Sequence, residues 1–163
     1  MSLDLYIITP EPVERTGTGV YVRENGKTVE LKTIEEVKQH FPDADISSIE
    51  ERPVETNEFW HGNITHNLGK MAKEVQLVKR INAESFITLY DILWKGEVTM
   101  KNKLLLVDLL SKAVHELEDK PTKYQMFNPE NGWGTYEQLL HFTKDFLKAV
   151  VNAPEGSYIE IDK

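Results

Sequence analysis

The chain has no cysteine, which excludes disulfides, thiol nucleophiles and thiolate-ligated zinc. It has no apolar run near the roughly 18 residues that a membrane-spanning helix needs, so no membrane partner is expected. Basic charge is scarce: 19 Lys and Arg stand against 27 Asp and Glu, leaving a net charge of −8 over 163 residues. An acidic surface repels phosphate backbones, which argues against DNA or RNA as the main partner. Met1-Ser2-Leu3-Asp4-Leu5 carries no basic stretch ahead of an apolar one, so no secretory signal is expected and the cytoplasm is the default location. Nucleotide-loop and nucleophile motifs are absent too: there is no G-x-S-x-G, no P-loop and no G-x-G-x-x-G. Gly17-Thr18-Gly19 lacks the third glycine and the helix that should follow it.

What is present fits one globular domain over residues 1–163. Hydrophobic residues make up 40% and charged residues 28%, a balance that supports a packed core. Leu3 to Thr9 reads as a strand ending at Pro10, with a loop from Glu11 to Gly19. Val20–Arg23 and Thr28–Leu31 flank Asn25-Gly26, the pair that a type I′ hairpin turn favours. Thr33 and Glu36 have capping-box spacing and start a helix that runs to about Phe41, before Pro42. Pro53 to Trp60 reads as an edge strand.

Helices are then predicted from about Ile64, over Ser85–Trp94, over Lys101–Asp119 and from Thr135 onward. In the last of these, Gln138 completes a second capping box and Tyr136, Leu139, Leu140, Phe146, Leu147, Val150 and Val151 form the inner face. Ser157–Asp162 is a closing strand. Together these give an α+β fold: a small, largely antiparallel sheet of both terminal strands plus the hairpin, covered by about four helices. The exposed edge of the hairpin invites a homo-oligomer.

Two segments carry uncommon chemistry. The first is Trp60-His61-Gly62-Asn63-Ile64-Thr65-His66-Asn67-Leu68-Gly69-Lys70-Met71-Ala72. With Asn63 as N-cap, the first-turn N–H groups of Ile64, Thr65 and His66 could meet a phosphate or carboxylate, assisted by His66 and Lys70. In the purely structural reading Asn63 only caps, Gly69 eases a helix contact and the histidines are surface or second-layer donors. His61 and His66 lie five apart, not the four of a helical metal pair, and no carboxylate lies between them, so no metal or other cofactor is expected.

The second segment is Asn128-Pro129-Glu130-Asn131-Gly132-Trp133-Gly134-Thr135-Tyr136-Glu137. Here Asn131-Gly132 suits a turn, and Trp133 between glycines either plugs the core, the preferred structural reading, or offers its indole for stacking. His115 is expected half-buried, His141 exposed, and Glu35/Glu36 and Glu50/Glu51 solvated.

These two segments, with Leu3-Asp4-Leu5 before them and Leu89-Tyr90-Asp91-Ile92-Leu93-Trp94 between, resemble a family of small uncharacterised proteins of phages and bacteria whose pattern runs NITHNL-x-KMA then NPENGWG-x-YE. The resemblance spans roughly two thirds of the chain and carries no known activity; set against that family, the hairpin and helix at about 10–59 are implied to be an elaboration of the single domain. Small phage proteins of this size sometimes sequester host immune nucleotide signals, so the resemblance implies an anti-defence sponge acting in the host cytosol as one possibility.

Three functions follow as expectations. The leading one is binding, without turnover, of a nucleotide-like ligand between the helix N-termini near Ile64 and Tyr136. Trp60 or Trp133 would stack, His61, His66 and Lys70 would meet negative charge, Asn63, Asn67, Asn131 and Glu137 would read hydroxyls or ring edges, and Thr65 and Thr135 would also belong to the site. The second is a hydrolase or lyase with His66 as acid or base, oriented by Glu137 or Glu130. The third is a protein-interaction module with no pocket. The first two rest on residues near 63 and 133 sharing a cavity.

Overall fold

Hydrophobic alternation in the first strand sets the sheet. Strand β1 runs from Ser2 to Gly17, and in its first half Leu3, Leu5, Ile7 and Thr9 are buried while Ser2, Asp4, Tyr6 and Ile8 are half-buried. Period-two burial of this kind marks a sheet with one face on the core. A computed structural model describes residues 1–24 and 27–163. Those residues form seven strands and six α-helices in an α+β fold, divided into two compact units.

The larger unit comprises Met1–Pro10 and Glu58–Lys163. Its sheet has the order β4-β1-β7, with β4 at Arg52–Thr65 and β7 at Tyr158–Asp162. The terminal strands pair antiparallel, as expected, from Asp4↔Asp162 to Ile8↔Tyr158. Leu3, Leu5 and Ile7 join a core with Leu106, Leu109, Leu110, Ala113 and Leu117 of α4 (Lys103–Asp119). Leu139, Phe142, Phe146 and Val150 of α6 (Tyr136–Asn152) complete it. Phe142 and Ala149 fill inner positions of α6, whereas Val151 is 51% exposed rather than inward as expected.

Between β4 and α4 the chain forms α2 (Gly69–Glu74), a two-stranded sheet of β5 (Gln76–Lys79) and β6 (Phe86–Thr88), and α3 (Leu89–Leu93). Pro121 starts the short α5 (Pro121–Gln125), which takes advantage of a position where no N–H is needed.

The smaller unit, Glu11–Asn57, holds β2 (Val20–Glu24) and β3 (Lys27–Leu31), which pair antiparallel in a sheet of their own from Val20↔Leu31 to Glu24↔Lys27. The Asn25-Gly26 turn expected between them lies outside the described residues. Thr33 caps α1 (Ile34–His40) by accepting the Glu36 N–H, but the Glu36 carboxylate accepts from Lys32 N–H at 2.7 Å rather than from Thr33. Glu51 likewise accepts from Ile34 N–H at 2.8 Å. Two carboxylates expected to be solvated therefore satisfy backbone donors at a helix start.

Three expected elements differ. β1 passes through Pro10 and replaces the loop expected from Glu11; its pairing with β7 has ended at Ile8, so the missing N–H of Pro10 leaves no ladder gap on that side. β4 continues to Thr65 where a helix was expected from Ile64. Ile64 and Thr65 are β-branched and suit a pleated strand, and His66 N–H still donates to Met1 C=O at 3.4 Å. Ser85–Trp94 is strand and then helix, because Thr88 and Asp91 form a full capping box that fixes the helix start at Leu89.

Candidate functional site

The extension of β4 redistributes the first motif. Gly62 and Ile64 face the core and Trp60 leans the same way, its ring centroid 5.8 Å from Phe142 and 5.4 Å from Phe146 of α6. Gly62 has room for no side chain, since a Cβ there would run into Trp60 and lie 2.8 Å from Phe142. His61 and Asn63 turn to the other face of the sheet. There His61 Nε2 lies 2.8 Å from Asp4 Oδ1, Asn63 Nδ2 donates to the same oxygen at 2.9 Å, and Ser2 Oγ donates to Oδ2 at 3.3 Å.

The Tyr6 ring stacks on the imidazole of His61 at 4.2 Å and 11°. Burial alone would raise the Asp4 carboxyl, but the Asn63 and His61 hydrogen bonds outweigh it and hold Asp4 below its ordinary value. Burial, and then the negative field of Asp4, Glu58, Asp162 and Glu160, raises the Tyr6 phenol. Asp4 and Tyr6 were not expected in a site. The alternation of Leu3, Leu5 and Ile7 was the signal that could have placed them opposite the core.

Because Asn63 is in a strand, it caps nothing. Thr65 caps instead, its hydroxyl accepting from Asn67 N–H at 3.3 Å at the start of a single 3₁₀ turn over His66–Leu68. The anion cradle expected at Ile64, Thr65 and His66 is therefore not formed by a helix start. His66 Nδ1 accepts from the Trp94 indole N–H at 3.0 Å, which assigns the ring proton to Nε2. That Nε2 is buried without a hydrogen-bond partner among the described residues. Tyr90 stacks on Trp94 at 5.2 Å, made possible by Gly69, whose absent side chain would stand 3.2 Å from the Tyr90 ring. Lys73 caps the other side, its ammonium 4.5 Å from the ring centroid. Asn67 and Lys70 are exposed.

In the second motif the polar groups organise the backbone. Gly132 N–H donates to Pro129 C=O at 3.1 Å, Asn131 Oδ1 accepts from Trp133 N–H at 2.9 Å, and Asn128 Oδ1 accepts from Tyr136 N–H at 2.8 Å. Thr135 and Gln138 complete the expected capping box of α6. Gly134 adopts φ +115°, and a Cβ on it would lie 2.8 Å from Thr65 Cγ2 and 2.9 Å from Leu68 Cγ. The two motifs thus meet at Gly134. Trp133 is not a core plug: it is 71% exposed. Flanked by Gly132 and Gly134, both at positive φ, it sits on a loop that is closed beneath it and open above.

Contact between the motifs brings Thr65, Leu68 and Gly134 together but not the remaining residues. Glu137 accepts from Gln125 at 3.3 Å and His66 faces Trp94, so the acid–base pair expected of an enzyme is not hydrogen-bonded. Depressions of about 400 and 420 Å³ lie elsewhere, one against Met100–Leu104 and Pro154–Ser157, the other against Gln76, Leu77, Asp108, Ser111, Lys112, His115 and Glu116. His115 is exposed, not half-buried, and His141 is exposed beside Asp145 at 3.4 Å. Among the described residues no group of three or more His, Asp or Glu is arranged to hold a metal ion, and no helix is long and apolar enough to cross a membrane.

No family model matches this chain, no curated protein matches it and no solved structure matches it.

Proposed function

We propose that the chain is a protein-interaction module whose contact element is the 128–135 loop, with the Trp133 indole as anchor. One observation carries this reading: the ring is 71% exposed while the backbone beneath it is fixed by Asn131, by Asn128 and by the approach of Gly134 to Thr65 and Leu68. Tryptophan is over-represented among residues that dominate interface energies. A loop already ordered loses little freedom on binding. Met126, in the same connection between α5 and α6, is 81% exposed and adds apolar surface.

A sequestered nucleotide-like ligand, the leading expectation from sequence, is less well supported. Small-molecule sites bury roughly 70–90% of their ligand in a cleft. Here Trp60 leans on α6, His61 and Asn63 bind Asp4, and His66 accepts from Trp94. We take that contact to be in the cytoplasm, the location expected from the sequence.

The test uses a photo-crosslinking amino acid at position 133, with position 141 as an exposed control, in cells making the full chain. A protein adduct specific to position 133, with the same partner lost from Trp133→Ala at unchanged melting temperature, is the expected result. Adducts equal at both positions overturn the reading. So does saturable quenching of indole fluorescence by a nucleotide that is absent in Trp133→Ala, which would restore the small-ligand reading.

A further inference from the structure

Strand β7 closes one side of the three-stranded sheet, since the order is β4-β1-β7. Its pairing with β1 is antiparallel and unbroken over Tyr158–Asp162. Among the described residues no backbone hydrogen bond joins these five residues to any element but β1. The Met100–Asn102 turn lies near the strand, and Ile161 Cδ1 would stand 2.9 Å from a Cβ on Gly96, but neither segment supplies a ladder partner. Ile159 and Ile161 point to the core yet stay only partly buried. One edge of the sheet is therefore open, and its apolar side is incompletely covered.

Register fixes what an added strand would meet. Tyr158, Glu160 and Asp162 lie opposite Ile8, Tyr6 and Asp4, so all six side chains share the face away from the core. Asp162 and Asp4 are like charges directly across the ladder; Asn63 and His61 already bind Asp4, so Glu160 and Asp162 are the carboxylates that a neighbouring cation would relieve. Half-buried Tyr6 lies in the combined field of Asp4, Glu58, Asp162 and Glu160. A second copy pairing through β7 would set Glu160 and Asp162 against their own equivalents, and each copy carries a net charge of −8. Charge thus selects against self-pairing and for a basic partner.

The geometry points to β7 as a strand-addition edge for an extended protein segment that alternates basic and apolar residues. Basic side chains would fall on the outer face beside Glu160 and Asp162. Apolar ones would cover Ile159 and Ile161. Main-chain hydrogen bonds would supply affinity and the alternation would supply specificity. This inference does not depend on Trp133.

The test is titration of the full chain with blocked peptides of alternating Lys and Val, against the same peptides with Glu for Lys, followed by amide NMR shifts and hydrogen exchange. The expected result is saturable binding of the Lys peptide only, with shifts and new amide protection confined to about Ser157–Lys163. The double variant Glu160→Lys/Asp162→Lys, at exposed positions, should weaken the Lys peptide on the order of tenfold and admit the Glu peptide. Trp133→Ala should leave both values unchanged. Three results overturn the inference: no saturable binding, affinity unmoved by the charge reversal at unchanged melting temperature, or equal perturbation by spermine without amide protection, which would mean charge attraction alone.

Discussion

Replacing Gly134 by alanine tests the junction between the two motifs, and Gly132→Ala supplies its internal control. Both glycines hold positive φ, +74° at Gly132 and +115° at Gly134. A Cβ at Gly132 meets nothing within 4 Å, so that substitution carries backbone strain alone, roughly 1–2 kcal/mol. At Gly134 the backbone lies outside the region that side chains tolerate, for about 1–3 kcal/mol. The new methyl would also stand 2.8 Å from Thr65 Cγ2 and 2.9 Å from Leu68 Cγ. Leu68 is fully buried, so overpacking adds about 1–3 kcal/mol. Gly134→Ala should therefore lose about 2–6 kcal/mol in all. Urea unfolding followed by far-UV circular dichroism measures both variants, provided the m-value is unchanged. In thermal melts the gap between them should be several degrees, at roughly 2–4 °C per kcal/mol for a chain of this size. Equal losses for the two variants would refute the close approach of Gly134 to Thr65 and Leu68, and with it the contact between the motifs.

Three further outcomes follow from the packing. Trp133→Ala should change stability by no more than about 0.5 kcal/mol, as surface substitutions do, while Trp60→Ala should cost about 3 kcal/mol through lost contact with Phe142 and Phe146; urea midpoints separate them. Burial raises the Asp91 carboxyl, but Thr88 and Lys95 outweigh it and hold it below its ordinary value. Its stabilisation is thus complete above the unfolded value near 3.8 and is lost as pH falls through the lower folded value. Asp91→Asn should cost about 1–3 kcal/mol at neutral pH, and the gap from the parent should shrink in urea midpoints measured below about pH 4. Nitrogen NMR of His66 should show the Nε2–H tautomer, and Trp94→Phe, which removes the indole donor, should populate the other tautomer.

Short-range signals were legible in the sequence. Thr33 and Thr135 cap the helices their spacing announces, because a cap is a bond across three residues and needs no tertiary partner. The paired terminal strands were legible from alternation. The Thr88 box was equally readable, since Asp91 lies three residues on, yet the apolar spacing of Phe86, Leu89 and Leu93 favoured a longer helix. Residues 60–75 were ambiguous for a different reason. Ile64, Leu68, Met71, Ala72 and Val75 are all buried, and such a set satisfies a continuous helix as well as a strand that turns into one. Pairing with β1 decides between them, through contacts such as Met1 C=O with His66 N–H, and no local pattern encodes that partner. The Asp4, His61 and Asn63 cluster was missed because its members are 57 and 59 positions apart in sequence.

Crowded uncharged polar groups drew attention to both motifs as ligand readers, yet turn-making needs the same groups. Asn131, Asn128 and Thr135 each accept a backbone N–H of the loop or of α6, and Thr65 does so at the 3₁₀ turn. Asn63 and His61 are committed to Asp4. Once these bonds are assigned, the motifs are read as two backbone devices meeting at Gly134. The indole of Trp133 has no such explanation. The chain folds its other two tryptophans against aromatic neighbours, Trp60 on Phe142 and Phe146, Trp94 on Tyr90. Exposing a third ring forgoes apolar burial worth about 25 cal/mol per Å², and the glycines and asparagines around it serve to hold it outward. A loop built at that cost in stability is explained most directly by a surface that covers the ring.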